Sequence, residues 1–141
     1  MWTTAGRQPI IDAQCEAILR ATFQAKATEL RLHLHAVGNV ADHVHVALGI
    51  PPGLSVSAVV KHLKGASSRA VNVCLRSVRA FRWQEGYGAL TMTIDARSLS
   101  SVILYVRAQP QHHRQGTVQS IYEMIEDEGR RQSPSDDFFP S

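Results

Sequence analysis

Three patterns in this chain predict an α+β fold built on an antiparallel sheet. Two stretches that alternate apolar and polar residues, 30–37 and 43–49, are separated by only a few positions, as in a hairpin. Segments with apolar residues at helical spacing stand before and after that hairpin, in place of the regular strand-helix alternation of a parallel sheet. The 141 residues are 44% apolar and 19% charged, which suits one globular domain with one core.

Element by element, residues 1–4 read as a strand fragment, followed by a turn at Ala5-Gly6-Arg7-Gln8-Pro9. Asp12 offers an N-cap, and Cys15, Ile18, Leu19, Thr22 and Phe23 recur at helical spacing to about Glu29. The strand 30–37 leads through a Gly38-Asn39 turn into a second strand that ends near Gly49. Pro51-Pro52-Gly53 breaks the chain. Ser55 or Ser57 then caps a helix marked by Val56, Val59, Val60 and Leu63, which runs toward Leu75 with a disturbance expected at Gly65. A fourth strand is expected over 88–94, with Leu90, Met92 and Ile94 on one face. Asp95 or Ser98 opens a third helix whose apolar stripe is Leu99, Val102, Ile103 and Val106. Val118, Ile121, Tyr122 and Ile125 mark a last helix ending near Gly129. The order is that of a ferredoxin-like split βαβ sheet with helices on one face, followed by a C-terminal helix bearing Tyr105 and a further helix. Residues 1–130 read as a single domain and 131–141 as a flexible tail.

Chemistry concentrates at Asp42-His43-Val44-His45-Val46-Ala47-Leu48. On a strand, Val44, Val46 and Leu48 turn to the core while His43 and His45 stand together on the opposite face, a ready metal clamp. Such a spacing is weak alone, because imidazoles are also common in ordinary structure and this chain repeats it at His33 and His35 and pairs His112 with His113. Tyr105 and Gln109 lie four apart, one above the other on a helix. On that helix Tyr105 falls at the edge of the apolar stripe, where it reaches a site more readily than a core position does. Its bland reading is a boundary residue with its hydroxyl in water.

Net charge is only +3, yet no Asp or Glu occurs between His43 and Gln84, where Lys61, Lys64, Arg69, Arg76, Arg79 and Arg82 all fall. Half of the twelve acids lie in the last nineteen residues. A basic, acid-free segment beside a histidine pair suits a polyanion, with a solvated helix face as the competing reading. Cys15 and Cys74 stand apart, as isolated thiols in a reducing compartment do. No apolar run approaches the ~18 residues of a membrane span and no signal pattern opens the chain, so a cytoplasmic protein without membrane association is expected.

Taken in order, these residues resemble the HUH-type single-tyrosine transposases of bacterial insertion sequences, the TnpA-like group of the IS-two-hundred type with its REP-associated relatives. Residues 2–10 resemble the end of that family's first strand and its turn, and Asp42-His43-Val44-His45 its HUH motif. Leu63-Lys64-Gly65-Ala66-Ser67-Ser68 is similar to its L-K-G-x-S-S element, and Trp83-Gln84-Glu85-Gly86-Tyr87-Gly88-Ala89 to its W-Q-x-G-Y-G-A segment. Tyr105 to Gln109, trailed by His112-His113-Arg114, is similar to its Y-I-x-x-Q. The resemblance implies a metal-dependent transposase and endonuclease of single-stranded DNA that cleaves and rejoins through a 5′-phosphotyrosine. It implies Tyr105 as nucleophile, with Mg2+ or Mn2+ held by His43, His45 and Gln109. It further implies a homodimer in which, as in well-known members, the tyrosine helix of one subunit completes the site of the other, and which grips single-stranded DNA hairpins at element ends; Lys61, Lys64 and Arg69, backed by Arg76, Arg79 and Arg82, are the phosphate-contacting candidates. Trp83 and Tyr87 are candidates for base stacking or for a core role at the strand edge. A four-histidine zinc site across the hairpin is a further, weaker reading of His33 and His35.

Two departures from the family pattern stand out. The first strand is short, which implies either a start upstream or a sheet lacking ladder bonds beside the histidine strand. Pro110 follows the presumed ligand Gln109, which disfavours helical geometry there and lets His112 or His113 substitute. These departures keep an alternative alive, a catalytically impaired or domesticated DNA-hairpin-binding protein.

Overall fold

The structure, a computed structural model, describes residues 1–77, 80–91 and 96–108. Its elements are β1 (Trp2–Thr3), a 3-10 turn (Ala5–Arg7), α1 (Ala13–Leu30), β2 (His33–Asn39), β3 (His43–Gly49), α2 (Val56–Leu75) and α3 (Ala96–Arg107). The three strands form an antiparallel sheet in the order β1-β3-β2. The α+β class and the strand-helix-strand-strand-helix order agree with the sequence reading. The expected last helix and tail lie outside the described residues.

The helices α1 and α2 each begin where a side chain can replace a missing backbone partner. The Asp12 carboxylate accepts from the Cys15 N–H at 2.8 Å to start α1, and the Ser55 hydroxyl accepts from Ala58 N–H at 3.1 Å to start α2. Both helices end at an arginine in the left-handed region, Arg31 at φ 57° and Arg76 at φ 44°. Gly65 sits inside α2 without breaking it. The stripe Cys15, Leu19, Phe23 and Ala27 of α1 meets Val59, Val60, Leu63 and Val71 of α2, together with Trp2 and Val44 from the sheet. Trp2 stands edge-on to both Phe23 and Trp83, with ring centroids 5.8 and 6.0 Å away.

The hairpin turn lies later than its composition suggests. Gly38 and Asn39 belong to β2, in register with His45 and Val44, and the chain reverses over 40–42 instead. Neighbours set that position. The Ala41 carbonyl accepts from Ile11 N–H at 2.9 Å, and the Asp42 carbonyl from the Thr4 N–H at 2.8 Å and the Thr4 hydroxyl at 3.2 Å.

No strand is formed by residues 88–91, and 92–94 lie outside the described residues; among the described residues an earlier segment bonds to the free side of β1. Residues 82–88 run along β1: Ala5 donates to Arg82, Gln84 to Thr3, and Gly88 to Met1, while the Met1 amine donates to Gly88. Three side chains of α2 hold this irregular segment. Lys64 Nζ donates to the carbonyls of Gln84 and Gly86 at 2.6 and 2.9 Å. Fully buried Ser67 accepts from Trp83 Nε1 at 2.9 Å, and Asn72 brackets both backbone groups of Phe81. Two stretches that read as separate sequence motifs are therefore the two sides of one contact. Because β1 reaches only Val44, the rest of β3 pairs with β2 alone among the described residues.

Two predictions follow from this packing. Asn72→Ala leaves the Phe81 N–H and C=O without their partner, and should lower stability by about 1–3 kcal/mol in chemical denaturation. The buried Cys15 thiol is pushed up from 9.0 to about 11 by burial and then by the Asp12 carboxylate. A raised folded-state value means stability present below pH 9.0 and lost progressively as pH rises to about 11. The wild type should therefore lose on the order of 3 kcal/mol across that window relative to Cys15→Ala, read from denaturation midpoints at each pH.

Candidate nucleophile and histidine site

Alternation along β3 decides which side chains meet. Val44 is fully buried, and Val46 and Leu48 pack with it on the face that α1 and α2 cover. His43, His45 and Ala47 point to the other face, where α3 lies. There Val106, Val102 and Ile103 rest on Ala36 and Ala47, two small residues in register across the hairpin that let the helix approach the sheet. This small second core is separate from the first.

The docking of α3 brings Tyr105 over the histidines. Tyr105 is buried, with its ring 6.1 Å from that of His45 and nearly perpendicular to it, and the His43 and His45 rings are 5.2 Å apart. Sequence spacing placed Tyr105 at the rim of its helix stripe. In the structure it belongs to neither core but to the histidine pair, while the next residue back, Leu104, is exposed. The structure thus brings together Tyr105, His43 and His45 within one chain.

Asp42 completes the arrangement, and no role had been read for it. Its Oδ1 lies 2.6 Å from His43 Nδ1. A carboxylate only accepts, so the bond puts the imidazole proton on Nδ1 and makes Nε2 the lone-pair nitrogen. This carboxylate–imidazole pairing is the one that usually backs a metal-bound histidine. The donor set is therefore suited to a divalent cation on chemical grounds. Among the described residues no group of three or more His, Cys, Asp or Glu side chains is placed to hold a metal ion together, and Gln109, Pro110, His112 and His113 lie outside them. The signal that could have found Asp42 is its position, adjacent to the first histidine.

The basic residues fall elsewhere. Lys61, Arg69 and Arg76 are exposed on or at the end of α2, in the layer across the sheet from the histidines, and Arg82 is exposed on the segment beside β1. Arg79 lies outside the described residues. Lys64 is partly buried in its loop contact, and burial pulls its ammonium below the ordinary lysine value against the opposing effect of Glu85. Trp83 is held by Ser67 and packs edge-on against Phe81, as a core residue does. His33 and His35 flank a bulge in β2, and their rings stack at 4.3 Å rather than diverging toward a shared site with the other pair. Among the described residues, no helix is long and apolar enough to cross a membrane.

The profile of the family described as IS200-like transposases matches residues 1–109. Among solved structures, the chain is similar to a provisionally assigned transposase from Deinococcus radiodurans R1, with 24% identity and a TM-score of 0.57 over 74% of this chain and 83% of that one. A search of curated proteins finds no match.

The Asp42–His43 bond predicts a specific imidazole state. Nitrogen-15 NMR should show His43 with its proton on Nδ1 in the wild type, and a mixture of tautomers in Asp42→Ala with the hairpin otherwise intact.

Proposed function

The chain belongs to the family of IS200-like transposases, and we propose that it is a metal-dependent transposase and endonuclease acting on single-stranded DNA through a tyrosine bound covalently to the 5′-phosphate. The observation that carries this reading is the meeting of Tyr105 with His45 and the Asp42-oriented His43 on one sheet face.

Tyr105 would attack the scissile phosphorus in line. A bond forms between its phenolic oxygen and phosphorus as the bond to the 3′-oxygen breaks; the phenolic proton is lost to solvent and the departing oxygen takes one up. The product is a 5′-phosphotyrosine and a free 3′-hydroxyl, and the retained ester energy allows rejoining to another end without ATP. A phenol ordinarily titrates near ~10, so it needs a site that favours its anion. His43 and His45 would hold a divalent cation, Mg2+ or Mn2+, with Gln109 as the third ligand that the family resemblance implies. When bound, such a cation polarises a non-bridging phosphate oxygen and favours the charge that develops on the oxygens in flight. Burial of Tyr105 beside the imidazoles restricts its rotamers before DNA arrives, which reduces the orientational cost of attack. Lys61, Arg69, Arg76 and Arg82 are proposed to contact DNA hairpin phosphates away from the chemistry. A homodimer is proposed as the working form, with the nucleophile and its two imidazoles coming from one chain.

The test is to mix the protein and labelled single strands from the flanks of its own gene with Mn2+ or Mg2+. A denaturation-resistant protein–DNA adduct is expected, absent in Tyr105→Phe and in His43→Ala. Hairpins bound without any adduct would replace this reading with that of a binding protein that does not cleave. A second measurement concerns the metal alone: Asp42→Ala should weaken Mn2+ binding by roughly 10–100-fold in calorimetry, and Asp42→Asn by less, because the amide oxygen still accepts from Nδ1.

A further inference from the structure

Away from the tyrosine and its histidines, a cavity of about 450 Å³ opens at the outer edge of β2. It lies between the two helix layers: α1 contributes Arg20 and Gln24, α3 contributes Arg107, and β2 supplies the floor from Leu34 to Val37 with His35 among them. The size falls within the ~300–1,000 Å³ of ligand clefts. Two guanidinium groups from opposite layers thus converge on one open sheet edge.

Each cation has a different setting. Arg20 is partly committed, donating to the Val37 carbonyl at 2.8 Å and to Glu16 at 3.1 Å, so its charge is partly balanced. Such a contact also blunts an exposed strand edge. Arg107 is exposed and makes no ion pair with any described residue. Beside them the bulge at His35 stacks the His33 and His35 rings at 4.3 Å with planes 15° apart, and His35 lines the cleft. Burial, and then the neighbouring His33, hold the His35 imidazole below its ordinary value.

Strand register relates the cleft to the candidate site: Ala36 stands opposite Ala47 and Gly38 opposite His45, so His35 and Ala36 lie about 7–10 Å along the strand from the level of His45, the nearer of the two histidines. Arg107 follows Tyr105 by two residues on the same helix. Guanidinium forks match phosphate geometry, and flat aromatic faces accept bases of any sequence. Both features together match a single strand better than a duplex, whose bases are stacked inside.

We propose that this β2-edge cleft carries the single strand leaving the Tyr105 site, with Arg107 and Arg20 against its phosphates and the stacked His33 and His35 rings as the platform for one base. The assignment rests on the single-stranded DNA reading above and specifies where that substrate lies.

The experiment is fluorescence anisotropy of a short labelled single-stranded DNA, titrated at several salt concentrations with the full chain and two variants. Arg107→Gln should lower the slope of log affinity against log salt by about 0.7, the loss of one phosphate contact. His35→Ala should weaken binding by roughly five- to a hundredfold with the slope unchanged, because stacking releases no counterion. A merely structural loss would not divide the two effects in this way. A wild type that binds the strand with a slope unaltered by Arg107→Gln, or an affinity unaltered by His35→Ala, overturns the cleft assignment and leaves the tyrosine chemistry standing. A wild type that binds no single-stranded DNA overturns both.

Discussion

The period-two alternation of β3 is the constraint on which the rest of the molecule depends. A strand held in a sheet cannot rotate its side chains independently, so burying Val44, Val46 and Leu48 against α1 and α2 obliges His43, His45 and Ala47 to share the opposite face. A slip of one residue would exchange the two sets, putting imidazoles into the aliphatic core and valines under Tyr105. The small side chains at Ala36 and Ala47 then allow α3 to lie close enough for its tyrosine to meet the imidazoles. Stability of the main core and geometry of the site are therefore one requirement, met by one register.

That register needs an anchor because β1 is only two residues long. The anchor is a set of polar contacts from outside the sheet. Thr4 and Ile11 hold the carbonyls of Asp42 and Ala41, and so fix both the hairpin turn and the residue whose carboxylate orients His43. On the far side of β1, Lys64, Ser67 and Asn72 hold residues 81–86 as an irregular strand that covers the exposed edge. Lys64 shows how a buried cation is tolerated: two carbonyls replace water around its ammonium, while Glu85 favours the charge that burial opposes. Removing the partners of such groups costs more than forming them contributes, so the network enforces one arrangement of the loop.

What was legible in the sequence follows from the range of the interaction that decides it. The first three helices, the histidine strand and the shared face of His43 and His45 depend on local periodicity and capping, and the sequence reading of them agrees with the structure. The turn expected at Gly38-Asn39 lies at 40–42 instead because Thr4 and Ile11, thirty or more residues away in the chain, hold carbonyls there. The pairing of residues 82–88 along β1 was not legible for a similar reason, since their partners on β1 and α2 are remote in sequence. Asp42 was in plain view beside His43, but only the 2.6 Å contact identifies what it does. Lys64 read as a surface cation for DNA because charge is visible in a sequence and an enclosing pair of carbonyls is not.

The central claim is that one chain supplies both the tyrosine and the imidazoles, through α3 docked on its own sheet. Isotope-filtered NMR on a mixture of labelled and unlabelled protein tests it most directly, by separating contacts within a chain from contacts between chains. The account predicts intramolecular NOEs between the Tyr105 and His45 ring protons, as their 6.1 Å perpendicular packing requires. NOEs between these rings found only across two chains, or none at all in the folded protein, would contradict it.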